Sequence, residues 1–331
     1  RFASGPHPQP WIMELHLEPK PVLAVCPNPA WQKTLCFEHY RAGEVNRASR
    51  VQENGGGKGV NLARVLQSLG FPAAVAGFAG GNTGQCLRAE LQKSGCRDLL
   101  VECQAPTRSC YTVIDAAKQQ ATELIEPAGR ITPDEALQLQ KRLQEAGPAF
   151  SVICLCGSLP PGLDGAFYAS LARLARAIGL PVLLDSAADL SATLSTGVSL
   201  LKINIVELQA LSGESELYRA AGVLQERYQI PWLGITAGPD RAWLFSSSRV
   251  YVYTLPRLPR TVSCIGAGDC ASAILARRLA EEPGGTRLPG YFQEALACAS
   301  ASCLTDIPSS FAPETAEELR RQITCQELSR P

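Results

Sequence analysis

Four residues near the C-terminal end of the sequence, Gly266-Ala267-Gly268-Asp269, stand directly ahead of an apolar run that reads as a helix. Glycines let a backbone turn tightly with its N–H groups outward, and a following helix aims its free N–H groups and positive dipole end at the same point. A phosphoryl group in transfer could be held there. Asp269, facing that group from the first helical residue, could accept a proton from an attacking hydroxyl. The same residues also suit a plain helix start, since Asp is a favoured N-cap, and alone they leave both readings open.

A second glycine cluster is Asn54-Gly55-Gly56-Gly57-Lys58-Gly59-Val60-Asn61. Consecutive glycines admit a small ligand close to the backbone, Lys58 adds charge, and Asn61 can offer both a donor and an acceptor to sugar hydroxyls. It is not a Walker A loop, because the spacing before Lys58 is wrong and no Ser or Thr follows. A third signal is Leu201-Lys202-Ile203-Asn204-Ile205-Val206-Glu207. Asn204 and Glu207 would share a face of a first helical turn, which suits a hydrated magnesium ion beside phosphates or, equally, a capping box.

These residues need a scaffold that brings positions about 200 apart together. A strand-like run opens at Val22 to Cys26 and stops at Pro27-Asn28-Pro29. Val60, Ala63, Leu66 and Leu69 recur at helical spacing, with Gly70 as a stop. Further on, strand-like Ser151 to Cys156, helix-like Gly165 to Ile178, strand-like Pro181 to Asp185, strand-like Ser199 to Lys202 and helix-like Ile205 to Leu211 set a β-α-β-α rhythm. That rhythm predicts a parallel sheet covered by helices on both faces. Short β-like pieces, Gln32 to Phe37, Leu99 to Cys103, Cys110 to Asp115 and Thr122 to Ile125, read as a small sheet over one end, a lid. Residues 282 to 290 read as a surface loop, and helix-like Gln293 to Leu304 and Pro313 to Gln326 finish the chain.

Thirty-one basic residues balance thirty-one acidic ones, so no global field draws nucleic acid or an anionic membrane. The thirteen cysteines are scattered without C-x-x-C motifs and there are three histidines, which argues against zinc. An odd cysteine count without secretory features points to reduced thiols and a cytoplasmic location. No stretch approaches the ~18 apolar residues of a membrane span. The single methionine, Met13, marks residues 1 to 12 as an upstream extension, and we expect residues 1–20 to be poorly ordered.

Taken in order, these pieces resemble the PfkB family of carbohydrate kinases, within it the 1-phosphofructokinase and tagatose-6-phosphate kinase branch. The resemblance runs from about Val22 to Phe311 and is carried by Asn28-Pro29-Ala30, Gly43-Glu44-Val45-Asn46-Arg47, the Gly55 to Asn61 cluster with Leu62-Ala63-Arg64-Val65-Leu66, Thr107-Arg108, Glu126-Pro127, Gly157-Ser158-Leu159-Pro160-Pro161-Gly162, Lys202 to Glu207, Thr236-Ala237-Gly238 and Gly266 to Asp269. It implies a ribokinase-like α/β fold, a three-layer α/β/α sandwich with a mostly parallel central sheet and a small β-sheet lid. A single kinase domain would span 21–331, with lid strands from about 31–52 and 99–126.

The resemblance also implies transfer of the γ-phosphoryl group of ATP, with Mg2+, to a hydroxyl of a phosphorylated ketohexose of the fructose 1-phosphate, fructose 6-phosphate or tagatose 6-phosphate type. Asp269 would be the general base, and Gly266, Ala267 and Gly268 the anion hole. Gln32, Gly56, Gly57 and Asn61 would meet the sugar, and Lys58 and Arg108 its phosphate. Lys202, Asn204, Glu207, Thr236 and Gly238 would serve the nucleotide, with Asn204 and Glu207 organising the metal through water. Lids of two subunits would clasp into a homodimer.

Three positions depart from the pattern. Relatives in this branch carry Asp where this chain has Gln32, which keeps a carbonyl acceptor but loses the charge. Trp31 beside it could add an apolar wall or simply belong to the lid or core. Arg241 replaces a usual glycine and is expected to point to solvent. Cys264 stands where Thr is common, and Cys270 follows Asp269; a thiol at a helix N-terminus can have a lowered pKa and be oxidisable. The competing functions are a nucleotide- or sugar-phosphate-binding regulator that has lost turnover, and a kinase for a different sugar or nucleoside.

Overall fold

The computed structural model describes residues 19–186 and 190–330, so the expected N-terminal extension lies almost wholly outside the described residues. The chain opens with β1 (Val22–Cys26), leaves it at Pro27 for β2 (Ala30–Phe37) and β3 (Arg50–Gly56), and enters α1 (Lys58–Ser68), which buries Val60, Ala63, Val65 and Leu66. Gly70, with φ +69°, turns the chain out of that helix as its position foretold. Then come β4 (Ala73–Ala79), α2 (Gly81–Lys93), β5 (Arg97–Glu102), β6 (Arg108–Asp115) and β7 (Gln120–Ile125).

The alternation resumes at α3 (Pro133–Ala146), started by a capping box between Thr132 and Glu135, and runs through β8 (Val152–Cys156), α4 (Gly165–Ala177), β9 (Val182–Asp185), α5 (Ser191–Leu194), β10 (Leu200–Asn204), α6 (Ile205–Ser212), α7 (Leu217–Tyr228) and β11 (Trp232–Ala237). The chain closes with β12 (Arg241–Phe245), β13 (Arg249–Thr254), α8 (Ala267–Glu281), α9 (Leu288–Ser302), α10 (Pro313–Gln322) and β14 (Thr324–Ser329).

The main sheet has the order β14-β13-β12-β11-β10-β9-β8-β1-β4-β5. Strands from β5 to β11 pair in parallel, and β12, β13 and β14 add an antiparallel edge. Val152-Ile153-Cys154-Leu155-Cys156 is buried throughout, as expected of a strand covered on both faces. One face carries α1, α8, α9 and α10 on a core built around Leu62, Leu66, Ile274 and Phe292. The other carries α3, α4 and α7 on Leu139, Tyr168, Leu171 and Leu224. The fold is therefore a mostly parallel α/β sandwich with a small second sheet.

That second sheet, in the order β3-β2-β6-β7, is the lid. Two expectations are corrected. The piece at Leu99 to Cys103 forms β5, which pairs with β4 in the main sheet, because its buried Leu99, Leu100 and Val101 complete a β-α-β unit instead of a half-exposed lid. The final helix ends at Gln322, and the residues after it form β14 along β13, where a free strand edge attracts a partner more strongly than three polar residues extend a helix. The lid's glycine-rich strand also runs on to Gly56, beyond the expected limit at 52. Among the described residues no helix is long and apolar enough to cross a membrane.

Candidate active site

The carboxyl ends of β1, β8, β9 and β10 open into a cleft of about 900 Å3 that the lid covers. Ends of parallel strands are where α/β sheets hold ligands, since the chain leaves them in loops that converge there. Asn28, Gln32, Gly57, Lys58, Asn61 and Arg108 line it from one side, and Asn204, Glu207, Gly266, Gly268 and Asp269 from the other.

Gly266 is the N-cap of α8 in a left-handed conformation, φ +79°, and a Cβ there would lie 2.2 Å from Ser309 Oγ. Only glycine fits that turn. Asp269 is therefore the third residue of the helix, neither the first as expected nor a cap. Its Oδ2 accepts a hydrogen bond from Asn61 Nδ2 at 2.7 Å, across from α1. Asp269 is 7% exposed. Burial, with help from the Asp185 charge and against Lys58 and Asn61, raises its pKa to about 6. Of the expected anion-hole amides, Ala267 N–H already donates to the Cys264 carbonyl at 3.2 Å. Cys270 N–H closes the first helical bond to Gly266 O at 2.9 Å, and the amides between these two point off the helix start.

Asn61 is held from behind. Arg64 Nη1 donates to Asn61 Oδ1 at 2.8 Å and Arg64 Nη2 meets Glu90 Oε1 at 3.0 Å. Arg64 thus fills one of the two acceptor positions of Asn61 Oδ1, while the amide group is aimed at Asp269. The helix begins at Gly57, whose φ of +101° and 3.0 Å approach to Cys26 Sγ leave no room for a side chain. Gly56 sits against Gln32, with Gln32 Oε1 3.0 Å from where a Cβ would stand.

Asp185, at the end of β9, is the residue the sequence reading missed. Its Oδ1 accepts from Lys58 Nζ at 2.6 Å and its Oδ2 from Lys202 Nζ at 2.9 Å. Ser272 Oγ donates to Oδ2 as well, at 2.5 Å. Burial alone would raise the Asp185 pKa, but the two lysines and the hydroxyl outweigh it and hold the carboxyl well below the usual range. The Lys58 ammonium, penalised by burial, is in turn held above its ordinary pKa by Asp185 and Asp269. Lys202, 4% exposed, spends its charge on Asp185 and is not presented to a nucleotide. A strand-end aspartate in a β-α-β run was the available signal, but its partners come from 127 and 17 residues away.

Arg108 starts β6 and reaches the cleft with one bond, Nη2 to the Asn28 carbonyl at 3.3 Å. Its buried Nε–H has no acceptor among the described residues. Asn204 and Glu207 form the capping box of α6: Glu207 N–H donates to Asn204 Oδ1 and Asn204 N–H to Glu207 Oε2, both at 2.8 Å. Both residues also line the cleft, so capping leaves Glu207 Oε1 facing it. Thr236 and Gly238 line an adjoining apolar cavity of about 320 Å3 with Leu255, Leu258, Leu296 and Ala299. Thr261, Cys264 and Gly268 border both spaces.

The family model for pfkB carbohydrate kinases matches residues 27–314. The chain belongs to the pfkB family of carbohydrate kinases. It is a phosphotransferase with an alcohol group as acceptor. A tagatose-6-phosphate kinase of Staphylococcus epidermidis is 27% identical over 266 residues, 78% of this chain and 85% of that protein. Among solved structures, Escherichia coli phosphofructokinase-2 in complex with potassium superposes with a TM-score of 0.81 at 24% identity, covering 92% of this chain and 99% of that one. A Thermotoga maritima protein described as a possible 1-phosphofructokinase gives 0.83 at 21% identity, covering 93% and 99%. Both likenesses support the fold.

Within this kinase, two expected features are placed differently. Trp31 points to the face of β2 opposite Gln32, where Nε1 donates to Glu53 Oε2 at 2.8 Å, so it builds no wall of the cleft. Cys270 is fully buried and desolvation pushes its thiol up to about 12; burial overrides the helix N-terminus, and the expected lowering does not occur. Arg241 is exposed, as expected. Cys264 is exposed at the cleft.

Proposed function

We propose that this kinase transfers the γ-phosphoryl group of ATP to a hydroxyl of a phosphorylated ketohexose of the fructose 1-phosphate, fructose 6-phosphate or tagatose 6-phosphate type, with Asp269 as general base. The observation that carries the reading is the Asp269 carboxyl itself: buried, facing the cleft and tuned to a pKa of about 6. A base of that strength is mostly ionised at neutral pH yet basic enough to take a hydroxyl proton as the oxygen attacks. The amides of Gly266, Gly268 and Asp269 meet the anionic phosphoryl oxygens at the positive end of α8. Positioning and charge neutralisation supply most of what phosphoryl transfer requires.

A phosphorylated sugar is favoured over a neutral one because Arg108 lines the cleft with a guanidinium that has no carboxylate partner among the described residues and one bond, to the Asn28 carbonyl. Desolvating that group without an anion would be costly. Lys58, bonded to Asp185, supports the site as a shared cation more than as a dedicated phosphate ligand. The 320 Å3 apolar cavity beside Thr236 and Gly238 suits a nucleobase. Glu207 Oε1, which the capping box leaves unused, fits a hydrated magnesium ion held mainly by nucleotide phosphates, with Asn204 beside it, and the ion would neutralise charge there. Exposed Val51 and Leu124, on the face of the lid turned away from the cleft, support pairing of two lids in a homodimer.

The test is ADP release from Mg-ATP with a panel of ketohexose phosphates and the corresponding free sugars, run beside Asp269→Ala and Arg108→Met. The kinase reading expects turnover with a phosphorylated sugar, its loss in Asp269→Ala, and a KM for that sugar raised about tenfold or more in Arg108→Met. Sugar-phosphate binding without turnover in the parent would instead make it a regulator.

A further inference from the structure

The lid presents one more polar group to the cleft than the resemblance assigns. Side chains of a strand alternate between faces, and those of directly paired residues share one. Gln32 on β2 pairs with Asn54 on β3 and Cys110 on β6, and Thr112 on β6 pairs with Thr34 on β2 and Glu123 on β7. Asn54, Gln32, Thr34, Thr112 and Glu123 therefore lie on a single face, and Gln32 and Glu123 both line the cleft that contains Asp269.

Gln32 is 5% exposed, and its Nε2 donates to Thr112 Oγ1 at 2.7 Å. One of the two amide hydrogens is thereby used inside the sheet, and the carbonyl Oε1 beside Gly56 is the acceptor that this residue can offer a ligand. Glu123, paired with Thr112 on the edge strand of the same face, makes no hydrogen bond and no ion pair with any described residue. Partial desolvation by the atoms of the cleft raises its carboxyl pKa, although the residue stays exposed, and no cation stands beside it. Glu123 is exposed on the cleft side of the lid, so its carboxylate is solvated by water and free to exchange that water for ligand donors. The exchange is favourable when hydroxyl donors arrive, since hydrogen bonds to an ionised acceptor are the stronger kind.

We propose that Glu123 is a sugar-binding residue, whose carboxylate accepts hydrogen bonds from hydroxyls of a sugar phosphate in the cleft and supplies the charged acceptor that Gln32 lacks. This rests on the kinase reading above. The residue lies on the edge strand of the lid, so the contact forms when the lid covers the sugar, and it adds to binding of the polyol without touching the nucleotide side.

The experiment is steady-state kinetics with Mg-ATP and fructose 1-phosphate, fructose 6-phosphate and tagatose 6-phosphate on the parent, Glu123→Gln, Gln32→Asp and the double variant. Glu123→Gln is expected to raise the KM of the preferred sugar phosphate about tenfold while leaving the KM for ATP within about twofold. In the Gln32→Asp background, where a carboxylate is restored on the same face of the lid, the same change should cost less than about threefold. A sugar-phosphate KM unchanged by Glu123→Gln overturns the proposal, as does an equal loss in both backgrounds or a parallel rise in the KM for ATP. Should the parent show no turnover, the kinase reading fails separately. Calorimetric titration of the same three compounds then decides: weaker binding by Glu123→Gln supports the role, and equal or absent binding overturns it.

Discussion

Asn61 Nδ2 stands 2.7 Å from Asp269 Oδ2, and this one hydrogen bond joins the glycine-rich start of α1 to the start of α8 across 208 residues of sequence. It works against the burial that raises the Asp269 pKa, so the acidity of this carboxyl is a balance between desolvation and the contact with α1.

The first prediction concerns that balance. If Asp269 is the base, kcat/KM of the parent falls as pH drops through about 6, because the protonated carboxyl cannot accept the hydroxyl proton. Asn61→Ala removes a bond that favours the ionised form, so the acid limb moves to higher pH. An acid limb that stays in place in Asn61→Ala, in a profile measured from pH 5 to 9, would contradict the assignment.

Stability should move the opposite way from activity. The folded pKa of Asp269 lies above its unfolded value of 3.8, so an ionised Asp269 destabilises the fold above about pH 6, and the penalty disappears by about pH 4. Asp269→Asn is expected to be more stable than the parent by about 3 kcal/mol at pH 8 and by nothing at pH 4. Urea midpoints at the two pH values read this, and a variant less stable than the parent at pH 8 would refute it.

Asp185 makes the reverse case. Its folded pKa is depressed, so its contribution is complete above 3.8 and is lost as pH falls below that. Asp185→Asn leaves the Lys58 and Lys202 ammonium groups facing each other in a buried site and should cost about 3–5 kcal/mol at pH 7. Adding Lys202→Met should recover part of the loss; if the double variant is no more stable than the single one, the ion cluster is not what Asp185 supports.

Thiol chemistry separates the two cysteines that flank the Gly266 to Asp269 turn. Cys86, Cys264 and Cys325 are exposed, whereas Cys270 is buried with its pKa pushed up to about 12. At pH 8 a disulfide reagent should modify the exposed thiols quickly and leave Cys270 untouched, since the thiolate is the reacting species. Mg-ATP should slow labelling of Cys264, which borders both cavities. Modification of Cys270 at a rate matching Cys264 would overturn this picture.

Much of the fold could be read locally because it depends on nearest neighbours. The spacing of Val60, Ala63 and Leu66 is enough to mark α1, the unbroken apolar run from Val152 marks a strand covered on both faces, and Gly266 to Asp269 marks a helix start with a carboxylate in its first turn. By itself the sequence determined these elements, their order, and the residues that would gather at the strand ends.

Tertiary structure decided what depends on which surfaces meet. Whether Trp31 or Gln32 faces the cleft follows from the pairing of β2 with β3 and β6, because one step along a strand reverses the face. Whether Leu99 belongs to the lid or the main sheet follows from the free edge of β4, and the strand after Gln322 from the free edge of β13. Asp185 acquires its role only because Lys58, Lys202 and Ser272 converge on it from three other elements. The pKa values of Asp269 and Cys270 diverge from what a helix N-terminus would dictate because desolvation is set by all the atoms packed around a group, and no window of sequence contains them.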